Sequence, residues 1–125
     1  MEYTEFITHV QSLTQSNSRE EAELATHATL ATIKELIPND EVQKLAEQLP
    51  EVLGQYLRER ETEANQSFHL QEFIERASKK ENIDPTIGAI HVRAVFAVIQ
   101  NAITPENFLK LHTFFSHDYE ELFAI

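Results

Sequence analysis

The chain is similar to itself at a fixed spacing, and this constrains its fold more than any other feature. The segment EFITHV at 5–10 matches EFIERA at 72–77, an offset of 67. Further on the offset is 66. Ser18 falls on Asp84, Ala28 on Ala94, Leu30 on Phe96 and Ile33 on Ile99. Ile37 then falls on Ile103, Val42 on Phe108, Leu45 on Leu111, Leu49 on Phe115 and Leu57 on Phe123. One residue is lost between the first two segments. Such self-similarity means one supersecondary unit used twice, so an element read in one half informs the other.

The unit reads as helical. Tyr3, Phe6, Ile7, Val10 and Leu13 recur at helical spacing. SREE at 18–21 is a capping box opening a long helix with Ala22, Ala25, Leu30, Ile33 and Ile37 on its apolar side. Pro38 and Asn39 end it, and Asn39 is available to cap the next helix. Asp84 with Pro85, and Thr104 with Pro105, repeat this start chemistry. The stretch AVFAVI at 94–99 could be a buried strand by composition. Its counterpart ATLATI at 28–33 lies inside a capped helix, so both read as helix. The stretch 87–103 is apolar nearly all round, as in a central buried helix.

Within KLAEQLPEVLGQYL, at 44–57, Pro50 interrupts an amphipathic pattern. A helix-interior proline costs about 3 kcal/mol, whereas one at the first helical position costs little. Leu49 is therefore expected to end one helix and Pro50 to open another. Leu45, Leu49, Val52, Leu53, Tyr56 and Leu57 would line the apolar side of that corner. Hairpin signals are absent, and the chain has only two glycines. The expected fold is all-α: a bundle of about eight helices built from two tandem four-helix repeats. One domain, 1–125, would hold a first repeat at 1–62, a joint at 63–66 and a second repeat at 67–125. The polar link RERETEANQS at 58–67 reads as a helical extension or an exposed joint. The halves should dock through their two long helices, because each alone is near the size where cores become marginal.

Composition narrows function. The net charge is −11 and the ten basic residues are scattered, which disfavours a nucleic-acid backbone as partner. The absence of cysteine removes disulfides and thiolate chemistry. The acidic, amphipathic N-terminus is unlike a signal peptide, and no stretch has the length and apolarity of a membrane span. A cytoplasmic location is the expectation. Gly-rich phosphate loops and nucleophile elbows are missing, and the Glu runs look like solvated helix faces.

The six histidines lack zinc-ligand spacing on one helix face, with His112 and His117 five apart. His91 and Arg93 interrupt the most apolar helix. They read either as pocket or interface residues, or as that helix's exposed edge with Arg93 paired to a carboxylate. Gln48 sits at a helix end, where its amide either satisfies freed backbone groups or recognises a partner. The aromatic C-terminus, with Phe114, Phe115, Tyr119 and Phe123, reads as core or as a self-association patch.

The LAEQLPEVL motif at 45–53, with the preceding EEAELATHATLATIKELI helix, resembles the prokaryotic family known as domain of unknown function 2267. The resemblance spans 5–123. His27 in THATL and Arg93 in VRAVF take the basic place before Ala-x-Leu or its equivalent. Ser116 stands where Pro50 does in the first half, a departure from the pattern. The resemblance implies a duplicated all-helical fold and a prokaryotic origin, without an activity. The functional expectation is a non-enzymatic helical interaction or scaffold module without metal or cofactor, its partner an unidentified protein or a second copy. The alternative is a small-ligand sensor or carrier with a pocket between the repeats near His91 and Arg93. The candidate interaction or pocket residues are His27, Gln48, Leu49, Pro50, His91 and Arg93.

Overall fold

A computed structural model describes residues 1–59 and 66–124 of the chain. Most of the expected joint at 63–66 lies outside the described residues. Eight α-helices are described: α1 (Tyr3–Thr14), α2 (Arg19–Leu36), α3 (Asn39–Gln48), α4 (Glu51–Arg58), α5 (Leu70–Glu81), α6 (Pro85–Ala102), α7 (Pro105–His112) and α8 (Glu120–Phe123). A 3-10 turn, His117–Tyr119, precedes α8. The described residues contain no strand, and the chain is all-α. None of their helices is long and apolar enough to cross a membrane.

The helix starts keep the sequence offsets. Tyr3 and Leu70 are 67 apart; Arg19 and Pro85, Asn39 and Pro105, and Glu51 and His117 are each 66 apart. Ser18 accepts from the Glu21 amide at 3.2 Å, Asp84 from the Thr86 amide at 2.8 Å and Thr104 from the Asn107 amide at 3.2 Å. These caps satisfy amides that a helix's first turn leaves unpaired.

The two long helices, α2 and α6, pack against each other, and α1 and α5 each pack against both. Each half's first helix therefore touches the other half's long helix, and the buried apolar residues form one continuous cluster. Helix α4 rests on α2, and α7 and α8 rest on α6. Two glycines set close approaches. A Cβ on Gly88 would lie 1.7 Å from Ser78 Oγ, where α6 meets α5. A Cβ on Gly54 would lie 2.6 Å from the Ala46 carbonyl oxygen, where α4 meets α3.

An ion cluster clamps α2 to α5. Glu35 receives Arg76 at 2.7 Å and Lys80 at 2.6 Å, and the Arg76 guanidinium lies 4.0 Å from the Phe68 ring centroid. Burial raises the Glu35 pKa, but hydrogen bonds from Lys80 and Arg76 outweigh it and leave the group lowered.

Three details depart from the sequence expectation. Pro38, not Asn39, holds the cap position of α3, and Asn39 is its first helical residue. Pro50 is likewise at the cap rather than the first turn of α4. Cap and first-turn sites both leave the missing N–H without cost, so the spacing rule could not separate them. Leu13 and Val52 are about half exposed, at 53% and 49%, as are Ile87 and Ile90 near the start of α6, at 49% and 47%. Periodicity marks an apolar face but not which turns a neighbouring helix covers. The C-terminal aromatics are mostly core: Phe115, Tyr119 and Phe123 are buried and Phe114 is half-buried.

Candidate functional site

The residues singled out in the sequence fall into three places. His91 and Arg93 are two positions apart on α6 and turn to different neighbours. His91 Nδ1 lies 3.0 and 3.1 Å from the two carboxylate oxygens of Glu81, the last residue of α5. Both side chains are largely removed from water, at 10% and 5% exposure. This pair fastens α6 to the end of α5. Arg93 is half-exposed and holds Glu121 through Nε at 3.0 Å and Nη2 at 2.9 Å. The two clefts that Arg93 lines are not lined by His91.

His27 occupies the position equivalent to Arg93, 66 residues earlier. Its ring stacks on Tyr56, with centroids 4.5 Å apart and planes at 16°. The Tyr56 hydroxyl donates to the His27 carbonyl at 3.2 Å. Burial lowers the His27 pKa below its usual value, with Glu23 opposing. His27 and Arg93 thus play matching parts: each ties the last helix of its half to its long helix. One uses Tyr56 of α4, the other Glu121 of α8.

The third place is the α3–α4 corner. Leu49 and Pro50 are buried, and the Pro50 carbonyl accepts from the Leu53 and Gly54 amides at 2.9 Å each. Gln48 Nε2 donates to the Lys44 carbonyl at 2.9 Å. Its Oε1 is covered from water and has no hydrogen-bond donor.

Gln48 also walls a cleft of about 320 Å³ between α3 and α7. Lys44 and Leu45 line it from the first half; Ile103, Lys110 and Leu111 line it from the second. Lys44 and Lys110 are 66 apart, as are Leu45 and Leu111, so positions at the sequence offset face each other across it. Lys44 Nζ lies 3.0 Å from Glu41, and Lys110 Nζ lies 3.8 Å from Glu106. Sequence reasoning named Gln48 here and missed the lysines. The 66-residue offset would have paired them, but lysines on amphipathic helices read as solvated surface. Among the described residues no three His, Cys, Asp or Glu side chains come together as a metal site.

A family model for an uncharacterized conserved protein, DUF2267, matches residues 3–122, nearly the whole chain. The chain belongs to that family. A comparison with curated proteins finds none that matches. The DUF2267 match takes in both halves, and with them both walls of the α3–α7 cleft.

Proposed function

We propose that this DUF2267 protein is a non-enzymatic, cytoplasmic helical interaction module whose partner is a second copy of itself. One observation carries the reading. Leu13 of α1 and Ile90 of α6 are both about half exposed and flank a largely apolar dimple of about 250 Å³, which Ala94 and Ala97 also line, with Arg93 at its edge. Ile87, one turn before Ile90, extends the same face. Knobs beside a hole of small residues are self-complementary, because a two-fold axis can place each copy's knobs in the other's hole. Exposed apolar patches of this kind mark interaction sites. The lack of catalytic roles is supported by the tasks found for the candidate side chains: His27, His91 and Arg93 hold helices together. The cysteine-free sequence suits a reducing compartment.

Sedimentation velocity across a concentration series tests the reading. The expected result is a monomer–dimer equilibrium that Ile90→Glu abolishes, while thermal unfolding at dilutions where the wild type is monomeric stays unchanged, since Ile90 is exposed. A wild-type chain that remains monomeric near 1 mM, where association worth roughly 4 kcal/mol is visible, would overturn it.

A further inference from the structure

The α3–α7 cleft shares no lining residue with that dimple, and its chemistry differs. Its volume, about 320 Å³, lies at the lower end of the roughly 300–1,000 Å³ typical of small-ligand sites. The apolar lining is Leu45, Ile103 and Leu111, all buried. Around it stand two ammonium groups, Lys44 and Lys110, and two carboxylates, Glu41 and Glu47. Glu106, 3.8 Å from Lys110, adds a third carboxylate beside the cleft, so a multiply charged anion is disfavoured. A small molecule that carries one carboxylate together with a hydrogen-bond donor offers a partner to the ammonium groups and to the acceptors alike.

Gln48 supplies the specific signal. Its Oε1 is buried with no donor, a state that native proteins rarely leave unexplained. Reversing the amide does not help, because Oε1 would then face the Lys44 carbonyl, acceptor against acceptor. The acceptor is covered in the free chain. Gln48 already lines the cleft, and a turn of its amide toward a ligand would exchange a solvent-exposed bond to Lys44 for bonds to the ligand. A ligand N–H entering the cleft would give it the missing donor.

We propose that this cleft binds a small amphiphilic carboxylate bearing an N–H donor. That chemistry is shared by an apolar α-amino acid and by the C-terminal residue of a peptide. The carboxylate meets Lys110 and Lys44, the N–H meets Gln48, and the apolar body covers Leu45, Ile103 and Leu111.

Amide-resolved NMR titration of the full chain tests the proposal with three probes: leucine, N-acetyl-leucine and leucinamide. Saturable shifts confined to α3 and α7 are expected with at least one of the two acids, and none with leucinamide, which lacks the carboxylate. Tighter binding of leucine assigns the site to a free amino acid; tighter binding of N-acetyl-leucine assigns it to a peptide C-terminus. Lys110→Gln should weaken the bound acid several-fold with the melting temperature unchanged, because Lys110 is exposed. Gln48→Met should weaken it roughly tenfold and raise the melting temperature of the free chain by removing the orphaned acceptor. No saturable shift with either acid, equal shifts with leucinamide, or unchanged affinity in both variants would overturn the proposal.

Discussion

The corner between α3 and α4 and its counterpart after α7 have the same backbone turn and different side chains. Pro50 stands at φ −51°, ψ 144°, and its carbonyl accepts from the Leu53 amide at 2.9 Å. Ser116, 66 residues later, stands at φ −69°, ψ 167°, and its carbonyl accepts from the Tyr119 amide at 3.0 Å. Beyond the turn the packing diverges. In the first half Gly54 lets α4 lie directly on the Ala46 backbone. In the second half the positions of Ala46 and Gly54 carry His112 and Glu120, which pair at 3.3 Å. There Phe96, Phe115, Tyr119 and Phe123 fill the interior through edge-to-face and tilted contacts. One half closes its corner by backbone proximity, the other by aromatic volume.

The largest expected effects test this contrast in the core. Phe115→Ala should cost about 3–5 kcal/mol and Leu49→Ala about 2–5 kcal/mol, with Phe115 the costlier. Both are nearly buried, at 7% and 6% exposure, but Phe115 touches three rings of the cluster. Urea unfolding of the two variants decides. A smaller loss at Phe115 would show that the aromatic cluster does not anchor the second corner.

Gly54→Ala comes next and has a diagnostic sign. In an exposed helix interior this change would stabilise by up to about 1 kcal/mol. Here the added Cβ meets a backbone oxygen at 2.6 Å, so the expected result is a loss of about 1–3 kcal/mol. Its counterpart, Glu120→Ala, removes a pair that is 29% and 55% exposed and should cost about 1 kcal/mol or less. Thermal melts that rank the two the other way would remove close approach as the first half's device.

A third difference is a strap that only the second half has. The Asp118 carboxylate accepts from the Leu70 amide at 2.7 Å, capping α5 across 48 residues. The equivalent position in the first half is Val52, exposed. The Leu70 amide first, then the Ser116 hydroxyl, hold the Asp118 carboxyl well below the usual carboxylate range, with partial burial opposing them. The bound form is the ionised one, so the stabilisation is present above the ordinary pKa of about 3.9 and is lost as pH falls below it. Asp118→Ala should cost about 1 kcal/mol at neutral pH, the usual worth of a helix cap. The gap from wild type should narrow in acid melts below that range. A gap independent of pH would show that the carboxylate's charge is irrelevant to the cap.

The same contrast separates the features legible in the sequence from those that were not. Helix identity, the caps at Ser18, Asp84 and Thr104, and the shared core register could be read because each rests on residue type at fixed spacing. Leu13 and Ile90 could not be placed, because exposure depends on which turns a neighbouring helix covers. His91 and Arg93 were ambiguous for a similar reason. Two positions apart on a helix, they face different neighbours, and only the fold shows that Glu81 and Glu121 wait there. The cleft needed both halves docked before Lys44 and Lys110 could be seen as its walls. The corner misleads in one respect. Its proline looks like the mark of the turn, and Ser116 therefore like the loss of it. The turn belongs to the backbone, and either residue fits it.

The smallest expected effect lies at Ser116. This residue already has a φ that proline adopts, and its fold position matches Pro50. Leu49, before Pro50, is extended at φ −90°, ψ 163°, as a residue preceding proline must be. Substituting Ser116→Pro removes the hydroxyl that bonds Asp118, so wild type is the wrong reference for the backbone effect. Ser116→Ala loses the same hydroxyl without fixing φ. Ser116→Pro should therefore be more stable than Ser116→Ala by about 0.4–1 kcal/mol, the gain from restricting the unfolded chain at a compatible site. Parallel urea titrations measure the difference. A proline variant less stable than the alanine one would show that the two corners differ in backbone as well as in side chains, with Phe115 unable to take the extended geometry that Leu49 has.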